Sequence, residues 1–272
     1  MDMKKPDSTF RDLHKDGLLV LANVTDAGSA RIVESLGCKA VATSSAAVAW
    51  SHGYPDGNTL PLELLSNTVR SMARVLTVPL TVDIEGGYSH DLNNVSHVIN
   101  SVIKAGAVGI NLEDGSESPD LLCQKIEVAR SVANQLGVDL FINARTDIYL
   151  KALVPVGERL EETVRRASLY SEAGADGVFA AGMVEANDIE ALCQSTRLPV
   201  NVLFRENLPD QGELERLGVK RLSAGSSIAE LLYGANAAIA KNFLQTGCLT
   251  TQSLNAYTYQ ELNSMMAGAS TT

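Results

Sequence analysis

The sequence predicts an α/β protein of the (β/α)₈-barrel class, and three observations carry that reading. Short apolar runs rich in β-branched residues alternate with helix-length amphipathic stretches, recurring roughly every 30 residues as βα units do. A helix–glycine–strand phrase repeats along the chain. Carboxylates and an arginine fall at the ends of the strand-like runs, where barrel enzymes carry their chemistry. At 272 residues with no evident linker, the chain reads as one domain over 1–272.

The strand-like runs are Leu18–Val24, Ala40–Ser44, Leu80–Ile84, Gly109–Leu112, Leu140–Ala144, Gly177–Ala180, Val200–Leu203 and Arg221–Ala224. Nearly continuous apolar strands suit a parallel sheet buried on both faces. The repeated phrases are SLGCKAVATS, KAGAVGINLE, EAGADGVFAAG and RLGVKRLSAG. In each, glycine supplies the left-handed conformation that ends a helix, and a strand follows within a few residues. A doubly wound open sheet is the competing architecture. Its glycine-rich phosphate turn is missing, since NVTDAGS is not G-x-G-x-x-G. After the last strand, SSIAELLYGANAAIAKNFLQTG reads as a long helix with apolar positions at Ile228, Leu231, Leu232, Ala235, Ile239 and Phe243. Residues 228–272 thus form a helical extension, with TYQELNSMM as a further helical piece and AGASTT expected to fray.

Composition narrows the function classes. Hydrophobic residues make up 45% and charged residues 20%, and the formal net charge is −10. The densest basic points, Lys4-Lys5 and Arg165-Arg166, make no patch for nucleic acid, and the acidity weighs against anionic membranes. Cys38, Cys123, Cys193 and Cys248 form no CxxC pair and read as reduced thiols. The N-terminal MDMKKPDSTF has no apolar segment behind its lysines, and Leu18–Val24 is too short to span a bilayer, so a cytoplasmic location is expected. No G-x-S-x-G elbow, P-loop or HExxH is present.

The polar residues cluster at strand ends: Ser44-Ser45, Asp83-Ile84-Glu85, Glu113-Asp114 and Asn143-Ala144-Arg145-Thr146-Asp147. Alternation with period two would place Asp83 and Glu85 on one face. Carboxylates with water are the ligand set of a hard divalent cation, Mg²⁺ first and Mn²⁺ as the alternative, and the absence of histidine from this group weighs against zinc or iron. Arg145 can grip a carboxylate through a forked pair of hydrogen bonds, or serve as a salt-bridge partner of Asp147 or Glu113. Tyr88 is a candidate proton donor or orienting hydroxyl, with core or rim packing as the equal alternative. Asn201 ends its strand and is expected to face the pocket, whereas Asp114 is expected to brace a loop. Asp56, between Pro55 and Gly57, has ordinary turn chemistry. His14 and His97 read as surface residues, and His52 and His90 as solvated loop residues.

In SSAAVAWSHGYPDG, VDIEGGY, VGINLEDG, FINARTD, EAGADGVF, LPVNVL and GVKRLSAGS, in that order and spacing, the chain resembles the isocitrate lyase/phosphoenolpyruvate mutase family from about Leu18 to about Leu232. The resemblance implies a Mg²⁺-dependent site that stabilises an enolate-type intermediate of a small carboxylate. It implies Asp83 as direct metal ligand, with Asp56, Glu85 and Glu113 holding metal-bound waters. Ser44, Ser45 and Ala46 would grip the substrate carboxylate, partly through backbone N–H groups, and Arg145 its carboxylate or oxo oxygen. Asp56, Tyr88 and Arg145 are the catalytic candidates. It also implies a homo-oligomer, tetramer or dimer, that exchanges the C-terminal helix between subunits.

The departures are informative. Where isocitrate and methylisocitrate lyases carry a KKCGH-like loop, this chain reads EDGSESPDLLCQKIEVAR, and Cys123 falls in a helix as a packing residue. The Lys- and Asn-bearing gating loop of the mutases is also missing. What remains resembles the shorter members, including oxaloacetate decarboxylases. The expected activity is therefore a Mg²⁺-dependent carbon–carbon lyase on a small 2-oxo or 2-hydroxy carboxylate, with oxaloacetate decarboxylation foremost. A P–C bond hydrolase or mutase and a non-catalytic 2-oxo acid binder are the alternatives.

Overall fold

The computed structural model describes residues 10–249 and 256–267. Among these residues nine strands form one parallel sheet: β1 (Leu19–Leu21), β2 (Asn23–Val24), β3 (Val41–Thr43), β4 (Leu80–Asp83), β5 (Gly109–Glu113), β6 (Phe141–Thr146), β7 (Gly177–Ala180), β8 (Val200–Leu203) and β9 (Arg221–Ser223). β1 and β2 are the two halves of the predicted first strand, parted at Ala22. β1 pairs with β9 and β2 with β3, so this segment closes the sheet into a TIM-like barrel.

Between the strands run α1 (Ala27–Ser35), α2 (Ser45–Ser51), α3 (Leu62–Val75), α4 (Leu92–Ala105), α5 (Pro119–Leu136), α6 (Arg159–Glu172), α7 (Ala186–Ser195) and α8 (Gln211–Arg216). Their starts follow from the sequence: Asp26 and Ser29 form a capping box, Ser118 caps α5 with Pro119 behind it, and Asp210 caps α8. Gly106 ends α4 at φ 116°, and a Cβ there would sit 2.5 Å from that of Ala73. Only glycine can both turn left-handed and let α4 approach α3 so closely.

The main core lies between sheet and helices, where Val82, Ile110, Leu112 and Ile142 meet Val69, Ile99, Val102 and Ile126. The end of the barrel opposite the strand C-termini is filled by Phe10, Leu19, Leu21, Ala40, Ala42 and Phe141. His14, expected on the surface, is 3% exposed. Its ring stacks on Phe141 at 4.1 Å and its Nδ1 lies 2.9 Å from the Phe10 carbonyl. The segment before β1 folds under the barrel as a plug, a tertiary contact with no local sequence signature.

α9 (Ser227–Thr246) buries only Ala229, and Leu231, Leu232, Phe243 and Leu244 are exposed. α10 (Tyr259–Ala267) packs back against α1. Part of the predicted extension, including AGASTT, lies outside the described residues. Among the described residues, no helix is long and apolar enough to cross a membrane.

Candidate active site

The last residue of β4 is Asp83, and hydrogen bonds fix its carboxylate. Oδ1 accepts from the Glu85 N–H at 3.0 Å and Oδ2 from the Asn111 amide at 3.1 Å. Its own N–H donates to Thr43 Oγ1 on β3. Burial pushes the Asp83 carboxyl above the usual carboxylate range, with Arg145 pulling it back.

Glu85 does not share the face of Asp83, because the strand ends first. Glu85 takes φ 51°, a left-handed conformation that breaks the alternation on which the sequence expectation rested. Its Oε2 accepts the Gly57 N–H at 2.9 Å and also the Asn58 N–H. Glu85 therefore straps the GYPDG turn to the end of β4 and carries Asp56 to the cavity. Tyr88, also left-handed at φ 58°, bonds its N–H to Asn58 Oδ1, and burial beside Glu85 pushes its hydroxyl pKa up.

Glu113 and Arg145 stand opposite each other in the β5–β6 register. Arg145 Nη1 meets Glu113 Oε2 at 2.7 Å and its Nε donates to Asp147 Oδ1 at 2.7 Å. The guanidinium lies over the Phe179 ring, 5.7 Å from its centre. Burial raises the Glu113 carboxyl, opposed by Arg145 and reinforced by Asp83 and Asp147. Behind this pair Asp114 is buried. It accepts from Arg166 Nη1 at 2.7 Å, the Tyr170 hydroxyl at 2.6 Å and the Asp147 N–H at 2.9 Å. The Asp114 hub thus fixes the loop that aims Arg145.

These elements enclose a cavity of about 200 Å³ at the C-terminal ends of the strands. Asp83, Asp56 and Arg145 line it together with Ser44, Ser45 and Ala46 at the start of α2, while Leu150, Phe179 and Leu203 make an apolar wall. Ser44 is the N-cap of α2, so the first-turn N–H groups of Ser45 and Ala46 have no intrahelical partner. Arg145 Nη2 has no hydrogen bond or ion pair among the described residues.

The other expected residues lie elsewhere. Glu85 and Glu113 do not line this cavity: the first is committed to the turn and the second to Arg145. Tyr88 and Glu113 line an adjoining space of about 330 Å³ with His90, Lys125 and Lys151. Asn201 sits inside the barrel, 1% exposed, and its Oδ1 accepts from Ser223. No three Asp, Glu, His or Cys side chains among the described residues gather as a metal-ligand group. Mg²⁺ commonly takes only one or two carboxylates and keeps several waters, which Asp83 with Asp56 matches.

Sequence reasoning missed Arg221. It is fully buried, donating through Nε to Ser223 Oγ at 3.1 Å and through Nη2 to Asn111 Oδ1 at 3.3 Å. Asn111 in turn bonds Asp83, so a buried chain runs Arg221–Asn111–Asp83. Burial pushes the Arg221 guanidinium down to about 9, with Asp83 as its opposing charge. The inward period of Arg221 and Ser223, against Leu222 facing out, was the available signal.

A model of the phosphoenolpyruvate phosphomutase family matches residues 10–244. The chain belongs to the isocitrate lyase/phosphoenolpyruvate mutase superfamily. It is 31% identical to an oxaloacetate decarboxylase of Bradyrhizobium sp. (strain BTAi1), covering 65% of this chain and 63% of that one. It is 29% identical to the 2-methylisocitrate lyase of Escherichia coli K12, over 74% of this chain and 70% of that enzyme. A solved Burkholderia cenocepacia J2315 protein, described provisionally as a phosphonomutase, superposes with a TM-score of 0.82 at 40% identity, over 87% of this chain and 99% of that one. Both named enzymes among these relatives, the decarboxylase and the methylisocitrate lyase, are carbon–carbon lyases.

Proposed function

We propose that the protein is a Mg²⁺-dependent carbon–carbon lyase acting on a small 2-oxo or 2-hydroxy carboxylate, and that its reaction is oxaloacetate decarboxylation or a related cleavage through an enolate. One arrangement carries this reading: Asp83 and Arg145 share a small cavity with the unpaired N–H groups at the start of α2. The oxaloacetate decarboxylase and methylisocitrate lyase relatives support the reaction class.

Asp83 and Asp56 would hold the ion, which when bound supplies Lewis-acid polarisation of the 2-oxo oxygen. The rest falls to the chain's own groups. Arg145 Nη2 and the Ser45 and Ala46 N–H groups hold the substrate carboxylate, and Ser44 fixes the helix end that presents them. Glu113 and Asp147 keep the guanidinium in one orientation, so little reorganisation remains at the moment of reaction. Leu150, Phe179 and Leu203 shield the carbon whose bond breaks. When CO₂ leaves, the electron pair of the broken bond is delocalised onto the oxo oxygen as the enolate of pyruvate, and a proton from solvent completes the product.

EDTA should abolish turnover and Mg²⁺ restore it, and Asp83→Ala should lose it; full activity in that variant would sink the assignment. A P–C bond hydrolase or mutase is the second reading, favoured by the 40% identity to the Burkholderia protein. Phosphate release from phosphonopyruvate would put it first. We also propose a homo-oligomer, dimer or tetramer, that covers and exchanges α9, whose apolar residues find almost no cover among the described residues.

A further inference from the structure

The candidate cavity is lined by two arginines in different electrostatic states. Arg145 is already compensated, paired with Glu113 and Asp147 at 2.7 Å each. Arg205, two residues beyond the end of β8, also lines the cavity. Its guanidinium makes no ion pair or hydrogen bond among the described residues, and the residue is exposed. A side chain with no partner contributes little to the fold, yet this one stands at a small polar cavity with five unused donors. That is the geometry in which a guanidinium takes a carboxylate as a planar fork.

Position fixes which carboxylate. Ser45, Ala46 and Arg145 Nη2 serve the carboxylate attached to the 2-oxo or 2-hydroxy carbon. The apolar wall of Leu150, Phe179 and Leu203 suits the carbon chain beyond it. Leu150 and Arg205 also border an open neighbouring cavity of about 500 Å³, so Arg205 stands at the exit from the first cavity to the second. Glu206 lines that outer cavity, and its charge repels any further anionic group there.

We propose that Arg205 binds a second, distal carboxylate of the substrate, so that the site selects dicarboxylates over monocarboxylates of the same chain length. This rests on the reading of the cavity as a carboxylate site, and the experiment separates the two. Calorimetric titration in Mg²⁺ would compare three probes: oxalate, which has no distal group, and the four-carbon pair malate and 2-hydroxybutyrate, which differ in the distal carboxylate. The wild-type protein should bind malate at least about tenfold more tightly than 2-hydroxybutyrate, the worth of a charged hydrogen-bonded contact. Arg205→Met should bring that ratio to about one while leaving oxalate within about twofold, and Arg205→Lys should keep part of the preference, as a point charge without the fork does. A malate preference that survives in Arg205→Met, or is missing from the wild type, overturns the role of Arg205. Failure of the wild type to bind oxalate overturns instead the reading of the cavity itself.

Discussion

Replacing Asp114 by alanine should cost stability out of proportion to the size of the side chain. The carboxylate is 2% exposed and accepts three hydrogen bonds, from Arg166, Tyr170 and the Asp147 N–H. Removing one member of a buried ion pair typically costs about 3–5 kcal/mol, because the other charge is left uncompensated. Arg166 keeps Glu162 at 2.7 Å, which lowers that figure. The Tyr170 hydroxyl and the Asp147 N–H lose their acceptors at about 1–3 kcal/mol each, which raises it. A net loss of about 4 kcal/mol follows, equivalent to roughly 8–16 °C in Tm for a chain of this size. Asp114→Asn keeps an acceptor for the Asp147 N–H and should cost about half as much, since its amide cannot compensate Arg166. Urea unfolding followed by circular dichroism measures both losses, provided the slope against denaturant is unchanged. A loss below about 1 kcal/mol in Asp114→Ala would refute the hub as a structural brace.

Two further predictions follow from burial. The His14 pKa lies at about 3 in the folded protein against 6.5 for a free side chain, first through burial and then through the Arg221 charge. Below pH 6.5 the unfolded chain takes up a proton that the folded one refuses, so this contribution is complete above pH 6.5 and fades as pH falls toward 3. It amounts to about 2–3 kcal/mol lost by pH 4.5; His14→Leu should flatten the stability–pH curve over that window, and an unchanged slope would contradict the buried neutral imidazole. The exposed apolar face of α9 predicts an oligomer by light scattering, converted to monomer by Leu232→Glu with Phe243→Glu; a monomeric wild type would contradict the proposed exchange.

The fold was legible because each βα unit announces itself twice, by a β-branched run and by the glycine before it. Gly177–Ala180 and Val200–Leu203 stand where they were read, and the helix after β9 covers the apolar positions assigned to it. Asp83, Asp56, Arg145, Ser44, Ser45 and Ala46 were legible as strand-end and loop residues, and they do line one cavity. What failed was whatever depended on a local backbone choice or a distant partner. Glu85 was placed by alternation, but the chain turns left-handed there and hands its carboxylate to Gly57 and Asn58. Arg145 was read as a free fork or as a salt-bridge residue; it forms both candidate salt bridges and, among the described residues, keeps Nη2 unbonded. Arg221 and His14 are polar residues inside a barrel whose composition gave no reason to place them there, and Arg205 follows a strand end whose motif carries no chemistry of its own.

Lyase activity is tested most directly by following pyruvate from oxaloacetate in a coupled assay with Mg²⁺, against a blank containing metal without protein. Saturable pyruvate formation above that blank, lost in Arg145→Ala, is the expected result. A rate equal to the blank, or full activity in Arg145→Ala, would contradict it.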